Sequence, residues 1–135
     1  MNFRPAKLED FEFMAEHSTN KGIHNKRVDR IDYDYTLEHD GNLLGMGGFS
    51  MIIPTTFWCW VDFTQTGEDH LLTAYRVIKE WIDNFAEDMA ITRLQAFVRN
   101  NERHIRLVNH LGFIREGNME KFYGTEDALL YKRIF

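Results

Sequence analysis

Cysteine occurs once in this 135-residue chain, at Cys59. That excludes an intrachain disulfide framework and a cysteine-based zinc site, and one free thiol fits a reducing cytosol. Proline occurs twice, at Pro5 and Pro54. Both suit strand edges or turns, because proline cannot donate to a central ladder. No apolar run approaches the roughly 20 residues that cross a bilayer, and Met1 to Pro5 has no apolar signal core. Cationic residues are outnumbered, 16 against 21 acidic ones, giving a net charge of -5. This argues against nucleic acid as the main partner. Six histidines are present, but no H-x-x-x-H or H-E-x-x-H spacing joins them, so no metal site is expected. Repeats, low-complexity tracts and linkers are also missing. The expectation is a soluble cytoplasmic protein without a membrane segment, folded as one domain over residues 1–135.

Apolar material is plentiful. Hydrophobic residues make up 44% of the chain and aromatics 14%, including eleven Phe. A domain of this size can bury roughly two-thirds of its unfolded surface. Asn2 to Arg4 reads as a short strand. Leu8, Phe11, Met14 and Ala15 share one face of a helix from Leu8 to His17. Ile23 to Asp29 reads as a basic helical turn; His24, Lys26, Arg27 and Arg30 form a local cationic group. Tyr33, Tyr35 and Leu37 alternate with polar residues, as in a half-buried strand. Asp40-Gly41-Asn42 is a hairpin signal. Leu43 to Ile53 returns as a strand, in which Gly45, Gly47 and Gly48 suggest a bulge or a close backbone approach. Thr56 to Phe63 is an aromatic-rich strand. Thr64 to Asp69 reads as a polar loop, with Asp69 as N-cap of the helix carrying Leu71, Tyr75, Ile78, Ile82 and Phe85. Arg93 to Val98, Phe113 to Met119 and Ala128 to Ile134 complete the strands. The fold class is α/β (α+β): one mixed, mostly antiparallel sheet of about seven strands, with helices covering both faces.

The most informative segment is Asn101 to Gly117. An amide residue suited to capping precedes a short helix with Ile105, Val108 and Leu111 on one face. The helix stops at Gly112, and Phe113-Ile114 opens a strand. This motif and the element order resemble the GNAT superfamily of acyl-CoA-dependent N-acetyltransferases. Asn101, His104, Leu111-Gly112-Phe113, Glu116-Gly117 and the Asp127 to Tyr131 strand are similar to the subgroup that acetylates protein N-termini, including those of ribosomal proteins. Arg4-Pro5 followed by Asp10 fits the family's opening strand and helix. A thinner resemblance, carried by Asn101, His104-Ile105-Arg106, Gly112 and Trp58 to Val61, is to small GNAT-like internal virion proteins of short-tailed phages, which would place the protein in a host cytoplasm or a virion.

The resemblance implies transfer of an acetyl group from acetyl-CoA to an amine, with a protein acceptor slightly preferred. The alternative is a catalytically inactive GNAT-fold binding or phage virion-associated protein. The family polarises the thioester carbonyl with backbone N–H groups of a splayed strand, here Val61 to Phe63. It anchors the pyrophosphate at a loop entering a helix. The matching stretch is Gln65, Thr66, Gly67, Glu68 and Asp69, where Thr64 replaces the usual Arg or Gln and two carboxylates oppose the phosphates. A solvated polar loop with a helix cap fits this stretch equally well. Asp62, on one strand face with Trp58 and Trp60, suits a general base acting through water, or an edge carboxylate paired with a Lys or Arg. Val108 stands where many members carry a tyrosine acid. His104, one turn earlier, suits proton donation to the thiolate, or a half-buried structural role. Asn101 suits a helix cap and a contact to the pantetheine arm. The aromatic inventory leaves room for a homodimer.

Overall fold

The computed structural model describes residues 1–20 and 33–135. The predicted turn at Ile23 to Asp29 and the cationic group of His24, Lys26, Arg27 and Arg30 lie outside the described residues. In chain order the elements are β1 (Asn2–Pro5), α1 (Leu8–His17), β2 (Asp34–His39), β3 (Asn42–Ile53) and β4 (Thr56–Phe63). They are followed by α2 (Gln65–Asp69), α3 (Leu71–Asp88), β5 (Arg93–Arg99), α4 (Glu102–His110), β6 (Ile114–Tyr123) and β7 (Glu126–Ile134). The described strands form one seven-stranded sheet in the order β1-β2-β3-β4-β5-β7-β6. β4 and β5 pair in parallel, while β1 with β2, β2 with β3, β5 with β7 and β6 with β7 are antiparallel. None of the described helices is long and apolar enough to cross a membrane.

The described residues cluster into two compact units. The first is Met1–Phe49 with Trp60–Val77. Pro5 ends β1, an edge strand, where its missing N–H costs no ladder bond. Asp40 and Gly41 both take positive φ, at 50° and 78°, and join β2 to β3 by a two-residue turn between His39 and Asn42. That is the mirror-image turn whose twist matches its flanking strands. Leu37 pairs with Gly45 and Glu38 with Leu43, so Leu44 is the extra residue of a β-bulge.

The buried face of α1 differs from the spacing-based expectation. Leu8 is 56% exposed and Ala15 is exposed, whereas Asp10, Phe11 and Met14 are buried. The helix is rotated toward its charge partner. Asp10 takes two bonds from the Arg4 guanidinium, at 2.8 and 3.0 Å, and one each from the Lys7 N–H and the Thr36 hydroxyl. Phe11 and Met14 pack with Met46, flanked by Ala6, Leu43 and Trp60.

The second unit is Ser50–Cys59 with Ile78–Phe135. Its β5 alternates half-buried and buried residues, with Leu94, Ala96 and Val98 turned inward. Ile78, Ile82 and Phe85 of α3 are buried as the 3.6-residue period requires, and Phe85 meets Phe57 edge to face at 5.6 Å. α4 buries Leu107 and Leu111, with His104 and Val108 half-buried beside them. Of the predicted face, Leu111 is buried and Ile105 and Val108 are half-buried; Leu107 joins them as a buried residue that the spacing did not mark. Gly112, at φ +89°, ends the helix. The Phe113 N–H bonds to the Val108 carbonyl and the Gly112 N–H to that of Asn109, the two bonds of a Schellman stop.

Candidate functional site

β4 pairs with β5 in parallel at Thr56 with Arg93, Phe57 with Leu94 and Trp58 with Gln95. β4 itself continues to Phe63. The Thr64 N–H points to the β3 side, where it bonds the Leu44 carbonyl at 3.0 Å. Backbone groups alternate direction along a strand, so Val61 and Phe63 present theirs to the opposite edge. The Phe63 carbonyl on that edge accepts from the Thr19 N–H at 2.9 Å. Two of the predicted site residues, Val61 and Phe63, therefore sit side by side on one strand edge.

Asp62 is only 5% exposed. Its Oδ1 accepts from the Ser18 hydroxyl at 2.8 Å and from the Asn20 side-chain amide at 3.1 Å. Both of these donors come from the end of α1 and its exit.

The stretch after β4 is more ordered than a polar loop. Residues 65–69 form the single-turn helix α2, and its N-cap is Thr64. The Thr64 hydroxyl accepts from the Gly67 N–H at 3.1 Å and donates to the Leu44 carbonyl at 3.0 Å. The Glu68 N–H bonds the Thr64 carbonyl. The extra residue of the bulge thus supplies the docking point for α2. The expected cap role of Asp69 does not occur. Asp69 is the last residue of α2 and accepts from the Gln65 side-chain amide, while α3 starts on the His70 carbonyl, which takes the Thr73 and Ala74 N–H groups. Thr64 caps α2 with extended backbone at φ -79°, ψ 171°, and Asp69 is taken up inside α2, which leaves His70 as the residue before α3.

The two carboxylates of this stretch have different surroundings. Glu68 is 6% exposed and accepts from the Thr19 hydroxyl at 3.1 Å. Asp69 is exposed with Gln65 and Thr66. The repulsion argued from sequence therefore falls on Asp69, with Glu68 turned into the protein. Gly67 is fixed by packing: a Cβ there would run into the Leu44 carbonyl.

In the second unit, Asn101 caps α4. Its Oδ1 accepts from the Arg103 and His104 N–H groups, at 3.0 and 3.3 Å. His104 stands in the first turn, half-buried, in line with Leu107 and Leu111. Cys59 is buried, and burial pushes its thiol up to about 12, so it is no nucleophile in the folded protein. Among the described residues no group of three or more His, Cys, Asp or Glu is arranged to hold a metal ion.

Ser18, Thr19 and Asn20 were not singled out from the sequence. Their signal was faint: three consecutive hydroxyl or amide residues directly after a helix, a composition also usual in solvated turns.

No family model matches the chain, and no curated protein matches it. Solved structures match it along its whole length. A ribosomal-protein-alanine N-acetyltransferase from Brucella melitensis superposes with a TM-score of 0.76 at 15% identity, covering 100% of both chains. A point mutant of spermidine N-acetyltransferase from Vibrio cholerae gives 0.78 at 14% identity, covering 98% of this chain and 92% of the other. A ribosomal alpha-N-protein acetyltransferase (RimL) solved with coenzyme A gives 0.75 at 13% identity, covering 98% and 93%. The chain has the fold of the GNAT-family acetyltransferases.

Proposed function

We propose that residues 1–135 act as one acyltransferase domain that moves an acetyl group from acetyl-CoA to an amine, with a protein N-terminus preferred as acceptor. The observation that supports this reading is that Val61 and Phe63 present their backbone groups to the β4 edge opposite the one bonded to Leu44, in a chain superposing end to end on such enzymes. The acetyl thioester supplies an activated carbonyl. The Val61 and Phe63 N–H groups stabilise its oxygen as charge develops there. The amine nitrogen bonds to the carbonyl carbon and the carbon–sulfur bond breaks. Asp62 takes the amine proton, and His104 gives one to the departing thiolate.

Gln65, Thr66, Gly67, Glu68 and Asp69 would hold the pyrophosphate, and Asn101 would touch the pantetheine arm. The fit is best at Gln65 and Thr66, the exposed first residues of α2, whose N–H groups precede the first intrahelical bond. The two brought to Thr64, of Gly67 and Glu68, are already used. That occupation favours a second reading, a GNAT-fold binding protein without catalysis, the role that a virion-associated component would have.

The two are separated by titrating acetyl-CoA into the protein and following thiol release with an N-terminally free peptide or with spermidine as acceptor. The transferase reading expects heat, thermal stabilisation and thiol release, since a ligand bound to the native state must stabilise it. No heat and no stabilisation at millimolar acetyl-CoA would leave the binding protein. Faster release with spermidine than with peptide would reverse the acceptor preference.

A further inference from the structure

The end of α1 makes more contacts with the β4 terminus than a helix exit needs. Ser18 is 2% exposed and forms an isolated antiparallel bridge with Thr64. Its hydroxyl donates to Asp62 and accepts from the Asn20 N–H at 3.0 Å. The Asn20 side chain reaches the same Asp62 oxygen. The Thr19 N–H bonds the Phe63 carbonyl at 2.9 Å, and its hydroxyl, 3.2 Å from that carbonyl and 3.1 Å from Glu68, shares one proton between the two acceptors. Three consecutive residues thus engage Asp62, Glu68 and the last carbonyl of β4.

We propose that Ser18, Thr19 and Asn20 are positioning residues of the transfer site, which hold the end of β4 and the Asp62 carboxylate in the geometry the reaction needs. This rests on the acetyl-transfer reading above. Displacements of about 1 Å at reacting groups cost on the order of a hundredfold in rate. Thr19 fixes the last carbonyl of β4, at Phe63. Ser18 and Asn20 meet on one oxygen of Asp62 and so fix the direction of its carboxylate. None of the three touches the reacting atoms in this account.

The test combines amide hydrogen exchange by NMR with steady-state thiol release, using acetyl-CoA and an N-terminally free peptide. Thr19→Val keeps the N–H bond and removes the hydroxyl donor shared by Phe63 and Glu68. It should raise exchange at Val61 and Phe63 and lower kcat about tenfold, with KM for acetyl-CoA changed less than about twofold. Thr19→Ser should restore both readouts. Asn20→Ala, which removes a single bond, gives a milder variant with the same pattern if Thr19→Val fails to fold. Arg4→Gln, which breaks the Asp10 pair in the same unit, should lower the melting temperature and leave kcat and the Val61 and Phe63 exchange as they were. Exchange at Val61 and Phe63 that is unchanged in Thr19→Val and Asn20→Ala, or raised as much by Arg4→Gln, would overturn the proposal. A wild-type protein without turnover would sink the acetyl-transfer reading itself and with it this role, whatever the exchange pattern.

Discussion

The Ser18 hydroxyl donates to the Asp62 carboxylate over 2.8 Å, joining the end of α1 to the end of β4 across 44 residues of chain. A buried carboxylate that accepts from a hydroxyl and an amide has two separable properties, its shape as an acceptor and its charge. Asp62→Asn keeps an oxygen for Ser18 and Asn20 and removes the charge. It should cost under about 1 kcal/mol of stability but lower turnover on the order of a hundredfold, the usual size of general-base catalysis. Asp62→Ala should cost about 1–3 kcal/mol, because Ser18 and Asn20 are then left unsatisfied. Urea unfolding and thiol release measure the pair. Full turnover in Asp62→Asn would remove the residue from proton transfer.

His104→Ala should lower turnover about a hundredfold while the affinity for acetyl-CoA, measured calorimetrically, stays within about threefold. A parallel loss of affinity would make His104 a packing residue of α4 beside Leu107.

Helices α3 and α4 end in the same hydrogen-bond pattern with different residues. Gly112 follows α4 at φ +89°, and Ala90 follows α3 at φ +53°, with the Ile91 N–H on the Ala86 carbonyl and the Ala90 N–H on that of Glu87. A side chain in the left-handed region costs about 1–2 kcal/mol. Gly112→Ala should therefore destabilise by about 1 kcal/mol. Ala90→Gly should stabilise by a few tenths to about 1 kcal/mol, since the relief of strain exceeds the added freedom of the unfolded chain. Melting temperatures of the two variants should move in opposite directions.

Burial works to raise the Asp10 carboxyl, but the Arg4, Lys7 and Thr36 donors outweigh it and hold the group below its usual value. A carboxylate depressed in the folded state contributes stability above its unfolded pKa, near 3.9, and that contribution is lost as pH falls through the folded value. Arg4→Gln should cost up to about 3 kcal/mol at pH 7, the low end for buried pairs because the Arg4 side chain is 26% exposed. The gap to wild type should close as the pH drops below about 4. A gap that is constant from pH 7 to pH 2 would show that Arg4 acts by packing alone.

Cys59 should resist alkylation at pH 8 in the native protein and react fully in denaturant, since its thiol sits near 12 and is buried. Mass spectrometry before and after unfolding measures this directly.

The fold was legible where local chemistry is self-sufficient. Asp40-Gly41 makes a turn that needs nothing beyond its own dihedral angles, and α3 carries its period in Ile78, Ile82 and Phe85. Asn101 and Gly112 mark the two ends of α4 by capping rules alone. Where a distant partner decides, the reading slipped. α1 turned to bring Asp10 to Arg4, so that Leu8 and Ala15 face outward. Glu68 turned inward to a threonine 49 positions away. Asp69 lost the cap because α2, docked on Leu44 through Thr64, runs through it and leaves His70 before α3. The composition of a polar stretch does not show which of its side chains a remote backbone will engage. Asn101 was legible as the cap of α4, and the bonds of Ser18, Thr19 and Asn20 to the end of β4 were not.

Thr64 gives α2 an arrangement that owes nothing to a bound nucleotide. Its hydroxyl starts the helix, its N–H and hydroxyl reach Leu44, and Gly67 lets the turn lie against that strand. The chain therefore settles the ordering entropy of this segment when it folds, so that little remains to be charged against an incoming ligand. Association at α2 should then resemble a key entering a cut lock: fast, with little change in amide exchange over residues 65–69, and with affinity set by contact chemistry at Gln65 and Thr66.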